Sequence, residues 1–417
     1  MWPKFTNPWC VVVGAVLGLL VCNGPVLGFT FGVFLKPLGH DMGWHRGATS
    51  FALSAGGILS AIAVPIIGGM MDRWRIRRVA LSGIVIYALC LSLVGLSPRS
   101  LLAFTLLFGL AETTSAIQTP IGYAKAISAW FDRRRGLALG IAMSGVGMGG
   151  FLVPQLARLL IDRVGWRGAY AGLAVLTLAV ALPAVALFIR EPQPGEGEHR
   201  RVAGAAELPG LTLGQSIGTA RFWFLAVAFF LVAVAINGTV AHVVPLLTDH
   251  GLSPAVAAAT LGVFGLATMS GRLLVGYLVD RIYAPYIASV FFLAPIAGLF
   301  FLATAAGPLP ALGVVLMGLG LGTEIDLIAF LVTRFFGQRS FGQLYGCFFM
   351  VFGFGSSIGR FVGGVVYDLA RSYNPALIGA AAGLVIAVIL INQLGAYVYP
   401  VEREPAPELL PEPAAAS

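Results

Sequence analysis

Four charged side chains lie inside long apolar stretches of the sequence, where an ionised group needs a specific partner. They are Glu112, Arg272, Glu324 and Asp326. A charge near the centre of a lipid bilayer costs at least about 2.5–3.5 kcal/mol on insertion scales, so such residues commonly serve a function. A guanidinium keeps its proton and binds anions, whereas a buried carboxyl group can take up and release a proton. The four residues therefore predict the binding of an anion and the transfer of a proton.

Arg272 is the candidate for the anion-binding residue. It precedes Asp280, at the end of its apolar stretch, by eight positions, which places it about 12 Å inside that end. Its guanidinium can bind the carboxylate of a substrate with two parallel hydrogen bonds. It can equally form a permanent ion pair with an internal carboxylate, and Asp326 lies at a similar depth. Both interpretations stay open.

Three carboxylates, Glu112, Glu324 and Asp326, are the candidates for proton coupling. Glu324 and Asp326 are two positions apart, about 200° around a helix, so one can face a central cavity while the other meets a neighbouring helix. The alternative is that both are fixed charge partners, with Asp326 paired to Arg272. Glu112 lies near the middle of its stretch, where it either lines the cavity or packs between helices.

Four neutral polar residues are weaker candidates for contacts with a substrate. Asn23 and Asn237 hold matching places and each precedes a glycine, so they either offer amides to the substrate or mark bends. Tyr123 and Tyr345 can donate hydroxyl groups to an anion, and Tyr345 is equally a candidate gate residue. His242 is interpreted as a hydrogen-bonded histidine near a membrane interface rather than as a proton relay.

The composition places these residues in a membrane protein. The chain has 417 residues, of which 58% are hydrophobic and 11% charged, whereas soluble domains carry about 25% charged residues. About 20 apolar residues cross a bilayer as a helix. Runs of that length, which we number spans 1 to 12, cover roughly 9–35, 47–70, 79–97, 101–128, 136–161, 167–189, 221–247, 254–279, 285–306, 309–333, 341–366 and 375–399. We therefore predict an all-α membrane protein with two six-helix bundles (1–189 and 220–399), a linker (190–219) and a disordered tail (400–417).

The net charge of +8 follows from the loops on one side of the predicted spans. About 17 of the 26 Lys and Arg residues fall in alternate loops and in the two tails. The positive-inside rule places that side, with both termini, in the cytoplasm. The excess is then a topology signal, which removes the interpretation as a nucleic-acid-binding protein.

Two charge clusters on the cytoplasmic side are candidate conformational gates. Asp72 with Arg73 ends span 2, and Asp280 with Arg281 ends span 8. Such clusters can hold two halves together and separate when the cavity opens. The alternative is charge that serves topology alone, but topology does not require an aspartate beside the arginine.

The two halves of the chain repeat each other. Four matches occur in the same order: Asn23-Gly24 with Asn237-Gly238, Asp41 with Asp249, Asp72-Arg73 with Asp280-Arg281 and Gly136 with Gly342, at offsets of 214, 208, 208 and 206 residues. Because six spans are an even number, the two copies have the same topology. Parallel halves around a site at the membrane midplane are an architecture that permits alternating access.

Three loop motifs resemble those of the major facilitator superfamily. They are Gly68-x3-Asp72-Arg73-x-Arg75-x-Arg77-Arg78, Trp130-Phe131-Asp132-Arg133-Arg134-Arg135-Gly136 and Gly165-Trp166-Arg167, with Arg75 standing where the family has a glycine. Segments 34–38, 271–276 and 322–327 are similar to the bacterial monocarboxylate-porter and oxalate/formate-exchanger group. The resemblance implies the major facilitator fold, a place in the bacterial inner membrane and an anion-binding role for Arg272.

The oxalate exchangers of that group have a second cation in span 11, and segment 345–352 contains none. Arg360 comes later, in the outer part of span 11, where we expect its side chain to extend toward water or to pair with Asp368. Arg272 would then be the single deep arginine. Such a cavity suits one carboxylate on an apolar body and argues against a compact dianion.

The sequence thus predicts a secondary transporter of a small organic monocarboxylate, acting as a proton symporter and as a monomer. The alternatives are an organic-anion exchanger and a proton-coupled exporter of amphipathic drugs or metabolites, which Arg272 disfavours because it repels cations. No GxxxxGK[ST] motif, Ser-His-Asp set or metal-spaced histidine cluster occurs in the sequence. We therefore expect neither an enzyme nor a cofactor or metal site.

Overall fold

The computed structural model describes residues 7–73, 76–118, 120–131, 135–190, 210–279, 281–304, 309–337 and 339–399. Apart from one isolated bridge between Gly210 and Gly337, the regular structure of these ranges is helical, which confirms the predicted all-α class. The helices are α1 (Trp9–Leu20), a π-helical turn (Gly24–Gly28), α2 (Phe31–Met42), α3 (Arg46–Arg73), α4 (Ile76–Gly95), α5 (Leu101–Ser115), a 3-10 turn (Ala116–Gln118), α6 (Pro120–Trp130), α7 (Arg135–Phe188), α8 (Leu213–Ile217), α9 (Ala220–Asp249), α10 (Pro254–Leu278), α11 (Ala284–Thr304), α12 (Leu309–Phe336), α13 (Phe341–Ala370) and α14 (Asn374–Asn392).

The helices account for the predicted spans. Ten stretches of the described chain are helices long and apolar enough to cross a membrane, and one of them, within α7, is 52 residues long. The chain reverses direction at Gly165, where φ is 71°. The contact between residues on either side shows this reversal: a Cβ on Gly172 would lie 2.8 Å from the Leu160 side chain, whereas a straight helix would separate the two residues by about 18 Å. Because α7 reverses, it accounts for two passes, which raises the ten stretches to eleven. The 28-residue α3, which is long enough to cross a membrane, gives the twelfth.

Spans 1 and 7 hold matching places but differ in shape. Span 1 consists of α1, the π-helical turn and α2, with Pro25 in the first part of the turn. Proline lacks an amide hydrogen and its ring clashes with the carbonyl of the preceding turn, which favours the break at Val21, where α1 has ended. Span 7 is the single helix α9, which has Thr239 where span 1 has Pro25.

Buried apolar side chains form two cores, one in each half of the chain. The first lies within residues 11–189, joined by Ala241, and the second within residues 222–394, joined by Phe29 and Val33. Helix α7 packs on α1 and α4 in the first half, while α13 packs on α9 and α12 on α10 in the second. Most of the predicted linker, 191–209, and the predicted tail, 400–417, lie outside the described residues.

The halves meet chiefly along two helix pairs, α3 with α13 and α7 with α10, and α2 also contacts α9. Both of the main pairs are built on glycine. A Cβ on Gly265 of α10 would lie 2.5 Å from the carbonyl oxygen of Gly147 in α7, and one on Gly364 of α13 would come equally close to the hydroxyl of Ser50 in α3. Small residues of this kind let membrane helices approach closely.

An ionic cluster also joins the halves at one end of the bundle, which we call the latch. Asp249 Oδ1 lies 2.6 Å from Lys36 Nζ, and Asp249 Oδ2 lies 2.6 Å from Arg46 Nη1. Asp368 accepts a hydrogen bond from the backbone amide of Arg46 at 3.2 Å, and Arg46 Nη1 donates to Tyr373 Oη at 2.8 Å. Lys36 and Arg46 belong to the first half and their partners to the second, so the cluster holds this end closed.

The matching aspartate of the first half has a different set of partners. Asp41 Oδ1 lies 3.0 Å from Arg99 Nη2, and Asp41 Oδ2 accepts from Trp166 Nε1 at 3.1 Å. These hydrogen bonds hold the pKa of the Asp41 carboxyl below its usual value, and the bond from Arg99 has the largest effect. The repeated aspartate therefore fastens loops within the first half, whereas Asp249 fastens one half to the other.

The opposite, arginine-rich end carries both ends of the described chain. The ring of Trp9 lies 5.1 Å from that of Phe131, and the amide of Tyr399 donates to Arg334 O at 2.9 Å. The predicted gate belongs to this end. The side chains of Asp72 and Arg73, and all of Asp280, lie outside the described part of the structure, while Arg281 is exposed with its guanidinium 3.7 Å from the Tyr277 ring. The gate stays a prediction.

Replacement of Asp249 by asparagine should release the latch. The side chains of this cluster are partly buried. An ion pair of intermediate burial, neither fully exposed nor fully buried, stabilises the contact between its two partners by about 1–2 kcal/mol. We expect the population whose halves are separated at this end to rise by about tenfold. Electron–electron double resonance between spin labels at Leu96 and Leu369, both exposed and one in each half, measures that population after the four cysteines are replaced by serine.

Asp162→Asn is the matched control, because Asp162 pairs with Arg158 within α7 rather than across the halves. It should leave the distances between the labels unchanged. The latch assignment is wrong if Asp249→Asn gives the same distances as this control.

Candidate functional site

A cavity of about 210 Å³ lies between the two halves. Residues of spans 1, 2, 4 and 5 line one side, and residues of spans 7, 8, 10 and 11 line the other. Much of the wall is apolar. Its charged and amide side chains are Asn23, Glu112, Asn237, Arg272 and Arg360. The structure therefore brings four of the predicted site residues to one cavity and adds Arg360.

Arg272 forms an ion pair with Asp326. Arg272 Nε lies 3.4 Å from Asp326 Oδ2, and the two side chains are 13% and 40% exposed. Asp326 Oδ2 accepts no hydrogen bond from the described residues. Helices α10 and α12 touch one turn away, where a Cβ on Gly322 would meet the backbone of Thr268. The helices fix the positions of Arg272 and Asp326, but only the attraction of their charges joins the two side chains. A second carboxylate that makes two hydrogen bonds to the guanidinium would therefore compete well with Asp326 for Arg272.

Arg360 lines the cavity, so its expected extension toward water or pairing with Asp368 is wrong. Its Nε donates to Ser356 O at 3.2 Å, and its guanidinium lies 5.7 Å from the centre of the Phe31 ring. Its suggested partner, Asp368, belongs to the latch. Helix α13 continues to Ala370, so Arg360 lies about 15 Å inside its end. With two arginines on one cavity, the argument against a dianion no longer holds.

Glu112 faces the cavity and is also hydrogen-bonded, so its two predicted roles coexist. It is 3% exposed, and Asn23 Nδ2 donates to Glu112 Oε2 at 2.9 Å. Two adjacent glycines of α3 make room for Glu112 and for Ser357 of α13. A Cβ on Gly56 would lie 2.9 Å from Glu112 Cβ, and one on Gly57 would overlap the Ser357 hydroxyl. Glu112 and Arg360 come from opposite halves and act on each other electrostatically.

Glu324 lies away from the cavity. Its side chain is 0% exposed, and neither carboxyl oxygen has a hydrogen-bond partner among the described residues. The residue of α12 that lines the cavity between the two acids is Ile325. Asn237 lines the cavity, yet its Nδ2 is buried and equally without a partner in the described ranges. Helix α12 therefore points Glu324 into protein and Asp326 toward Arg272.

The two tyrosines lie beside the cavity and are not among its described lining residues. Tyr123 is buried and donates from its hydroxyl to Gln118 Oε1 at 2.8 Å. Tyr345 stacks on Phe349, with ring centres 6.2 Å apart, and the charges of Arg272 and Asp326 act on its hydroxyl. Tyr345 thus borders the ion pair, whereas Tyr123 serves packing in this state.

His242 is a hydrogen-bonded histidine, as the sequence suggests. Its Nε2 lies 2.8 Å from Arg360 O. A carbonyl accepts hydrogen bonds and cannot donate them, so His242 Nε2 carries the proton. The ring fastens α9 to α13 directly behind Arg360.

Sequence reasoning missed the latch and the depth of Arg360. The repeat itself contained a signal for the latch, because Asp41 and Asp249 occupy matching positions. An aspartate repeated at the end of a span is expected to form an ion pair. Arg360 had no comparable signal, since its depth depends on where α13 ends. Groups of three or more residues that could hold a metal are absent from the described part of the chain.

Comparison with known families shows one match over most of the chain. Residues 16–359 match the model of the Major Facilitator Superfamily. A 38 kDa protein of unassigned function from Thermoproteus tenax is 26% identical over 95% of this chain and 98% of its own length.

Two relatives with assigned transport roles match a smaller part of the chain. The MFS-type transporter pynF of Aspergillus niger is 28% identical and monocarboxylate transporter 13 of Bos taurus is 27% identical, each over 66% of this chain. The matched region spans 62% of the length of each of these two relatives.

Two solved structures share the fold. A bacterial homologue of the human lysosomal transporter Spinster, in an inward-facing conformation, superposes with a TM-score of 0.65, 16% identity and coverage of 93% of this chain and 94% of its own. The nucleoside transporter NupG superposes with a TM-score of 0.72 and 14% identity, over 93% of this chain and 100% of its own. Both place the chain in the fold that its motifs resemble.

Asn23→Ala should destabilise the protein more than Asn237→Ala. Removing Asn23 leaves the buried Glu112 carboxyl without its donor, and an unsatisfied buried group costs about 1–3 kcal/mol. Asn237 has no hydrogen bond to lose among the described residues. We expect thermal unfolding in detergent to shift downward by several degrees for Asn23→Ala and by much less for its control. Equal shifts would show that the bond between Asn23 and Glu112 contributes little.

Proposed function

The chain belongs to the Major Facilitator Superfamily, and we propose that it is a secondary transporter that moves a small organic monocarboxylate anion together with a proton by alternating access. The observation that carries this proposal is the place of Arg272. It is an arginine in the wall of the central cavity whose ion pair with Asp326 lacks a hydrogen bond. The name of one relative, monocarboxylate transporter 13, supports the same class of substrate.

The proposed cycle begins when the substrate carboxylate takes the guanidinium of Arg272 from Asp326. The apolar body of the substrate then packs on Phe349 and Phe352, which line the cavity. Without the charge of Arg272 beside it, the Asp326 carboxylate takes up a proton. Anion and proton leave together on the other side, and the pair between Arg272 and Asp326 forms again. Glu112, which lines the same cavity as Arg360, and Glu324 are the other candidates for the proton site.

We place the arginine-rich end in the cytoplasm, in accordance with the positive-inside rule. The latch then closes the outer side, as an inward-facing state requires. The proposed setting is the bacterial inner membrane, with the monomer as the functional unit.

Arg272→Gln should abolish anion uptake into proteoliposomes and leave the protein folded in the membrane. Glutamine keeps hydrogen-bonding groups but lacks the charge and the rigid fork that bind a carboxylate. The measurement is uptake of a panel of radiolabelled aliphatic, hydroxy and aromatic monocarboxylates. Arg158→Gln, which removes a partly buried arginine paired within α7, is the control and should transport normally. Uptake retained by Arg272→Gln would exclude the proposed anion site.

Asp326→Asn should separate anion exchange from proton coupling. An asparagine at this place cannot take up a proton, so an inward proton gradient should no longer drive accumulation. Exchange of internal for external anion should continue, because it needs no net proton movement. Glu112→Gln and Glu324→Gln are measured alongside, and whichever variant alone loses the gradient-driven part identifies the proton site. Accumulation that persists in all three variants would contradict proton symport.

The second arginine favours one alternative function, an exchanger of organic dianions. Arg272 and Arg360 line the same cavity, so two carboxylates of one substrate could each meet a guanidinium. Arg360→Gln distinguishes the two functions. It should reduce dicarboxylate transport at least tenfold if the substrate is a dianion, and should affect monocarboxylates much less if the first proposal is correct.

A further inference from the structure

The bond between Asn23 and Glu112 has a counterpart in the second half of the chain. Asn237 follows Asn23 by 214 residues, and Glu324 follows Glu112 by 212. Both offsets fall within the 206 to 214 of the other repeated motifs. The asparagines lie in spans 1 and 7 and the glutamates in spans 4 and 10, so the pseudo-symmetry of the two halves pairs Asn237 with Glu324.

The two copies are in different states. Asn23 Nδ2 donates to Glu112 at 2.9 Å, whereas Asn237 Nδ2 and both carboxyl oxygens of Glu324 are buried without a hydrogen-bond partner among the described residues. An unsatisfied buried polar group costs about 1–3 kcal/mol. The repeat pairs Asn237 Nδ2 with the two carboxyl oxygens of Glu324. These three unsatisfied atoms indicate a hydrogen bond between Asn237 and Glu324 that is absent in this state of the protein.

The shapes of spans 1 and 7 supply the reason. Span 1 is broken just before Asn23, at Val21, where φ is −116° and ψ is 28°. After Asn23 it continues as the π-helical turn Gly24–Gly28, whose second residue is Pro25. Span 7 continues through Asn237 and Gly238 as the regular helix α9. Glycine lowers the cost of a break in a helix. The bend places the Asn23 amide on Glu112, and the straight α9 does not do the same for Asn237.

Gly238 also packs on α13 in this state. A Cβ on Gly238 would lie 2.9 Å from the carbonyl carbon of Gly359, next to Arg360. Because α13 also contacts α3 of the other half, movement of the halves changes the surface against which α9 is held straight.

We propose that Asn237 and Glu324 form a second clasp, matching the one between Asn23 and Glu112, that closes when α9 bends at Asn237–Gly238 as the latch end opens. Asn237 is then a positioning residue for Glu324. The clasp of the first half stabilises the state with the latch closed, and the clasp of the second half stabilises the state with the latch open. The inference rests on the alternating-access part of the proposed function and does not depend on which anion is carried.

The test measures the fraction of molecules with the latch end open, by electron–electron double resonance between labels at Leu96 and Leu369. Each variant is measured with the natural latch and with Asp249→Asn. We expect Asn237→Ala and Glu324→Leu each to lower the open fraction by roughly fivefold, and Asn23→Ala to raise it. Glu324→Gln keeps an acceptor oxygen for the Asn237 amide and should restore the open fraction of the unaltered protein. The double variant Asn237→Ala/Glu324→Leu should match either single variant.

Three results would overturn the second clasp: an open fraction that Asn237→Ala leaves unchanged or raises, additive effects in the double variant, or no rescue by Glu324→Gln. Asn237→Ala and Glu324→Gln keep the test decisive if leucine at 324 prevents folding. If the distance between the labels never lengthens in any variant, including Asp249→Asn, alternating access itself is contradicted and the second clasp with it. If the distances shift as expected while no carboxylate is transported, the proposed substrate is wrong and the clasp stands.

Discussion

A charge in an apolar interior needs a partner, and this constraint determines how the site of this protein is arranged. Arg272 lies beside Asp326, Arg360 and Glu112 line the same cavity, and Asn23 donates to Glu112. In the proposed cycle, a substrate carboxylate takes the place of Asp326 beside Arg272, and Asp326 takes up a proton. A permanently satisfied pair would only hold helices together, and an unpartnered charge would destabilise the fold. Glu324 departs from this arrangement, since neither of its carboxyl oxygens has a hydrogen-bond partner among the described residues.

The sequence alone predicts the main features of the fold and part of the site. Twelve apolar runs and a repeated set of motifs predict two parallel six-helix halves, and the helices are found where the runs lie. The pairing of Arg272 with Asp326 follows from their equal depth, since two opposite charges at one level of a membrane protein are expected to meet. The shared cavity of Asn23, Glu112, Asn237 and Arg272 follows from their polarity in the same way.

The remaining features depend on quantities that a single sequence does not contain. The depth of Arg360 depends on the true end of α13, which continues past the apolar run to Ala370. The direction of Glu324 depends on the rotation of α12 about its own axis, and both acids of 324–326 were equally compatible with the pattern. The latch between Asp249 and Arg46 depends on how the halves are tilted, which is a property of one state of the cycle rather than of the chain.

The glycine contacts between the halves bear on how fast the protein can turn over. At Gly265 against Gly147 and at Gly364 against Ser50 there is no room for a side chain on the glycine. Separating such surfaces disengages few interlocked rotamers, so little side-chain ordering has to be lost and regained at each passage. In the proposed alternating-access cycle, the barrier to opening this end then lies more in the ionic latch than in interlocked side chains. Changes in the latch can therefore alter the speed of the carrier without altering the residues that line the cavity.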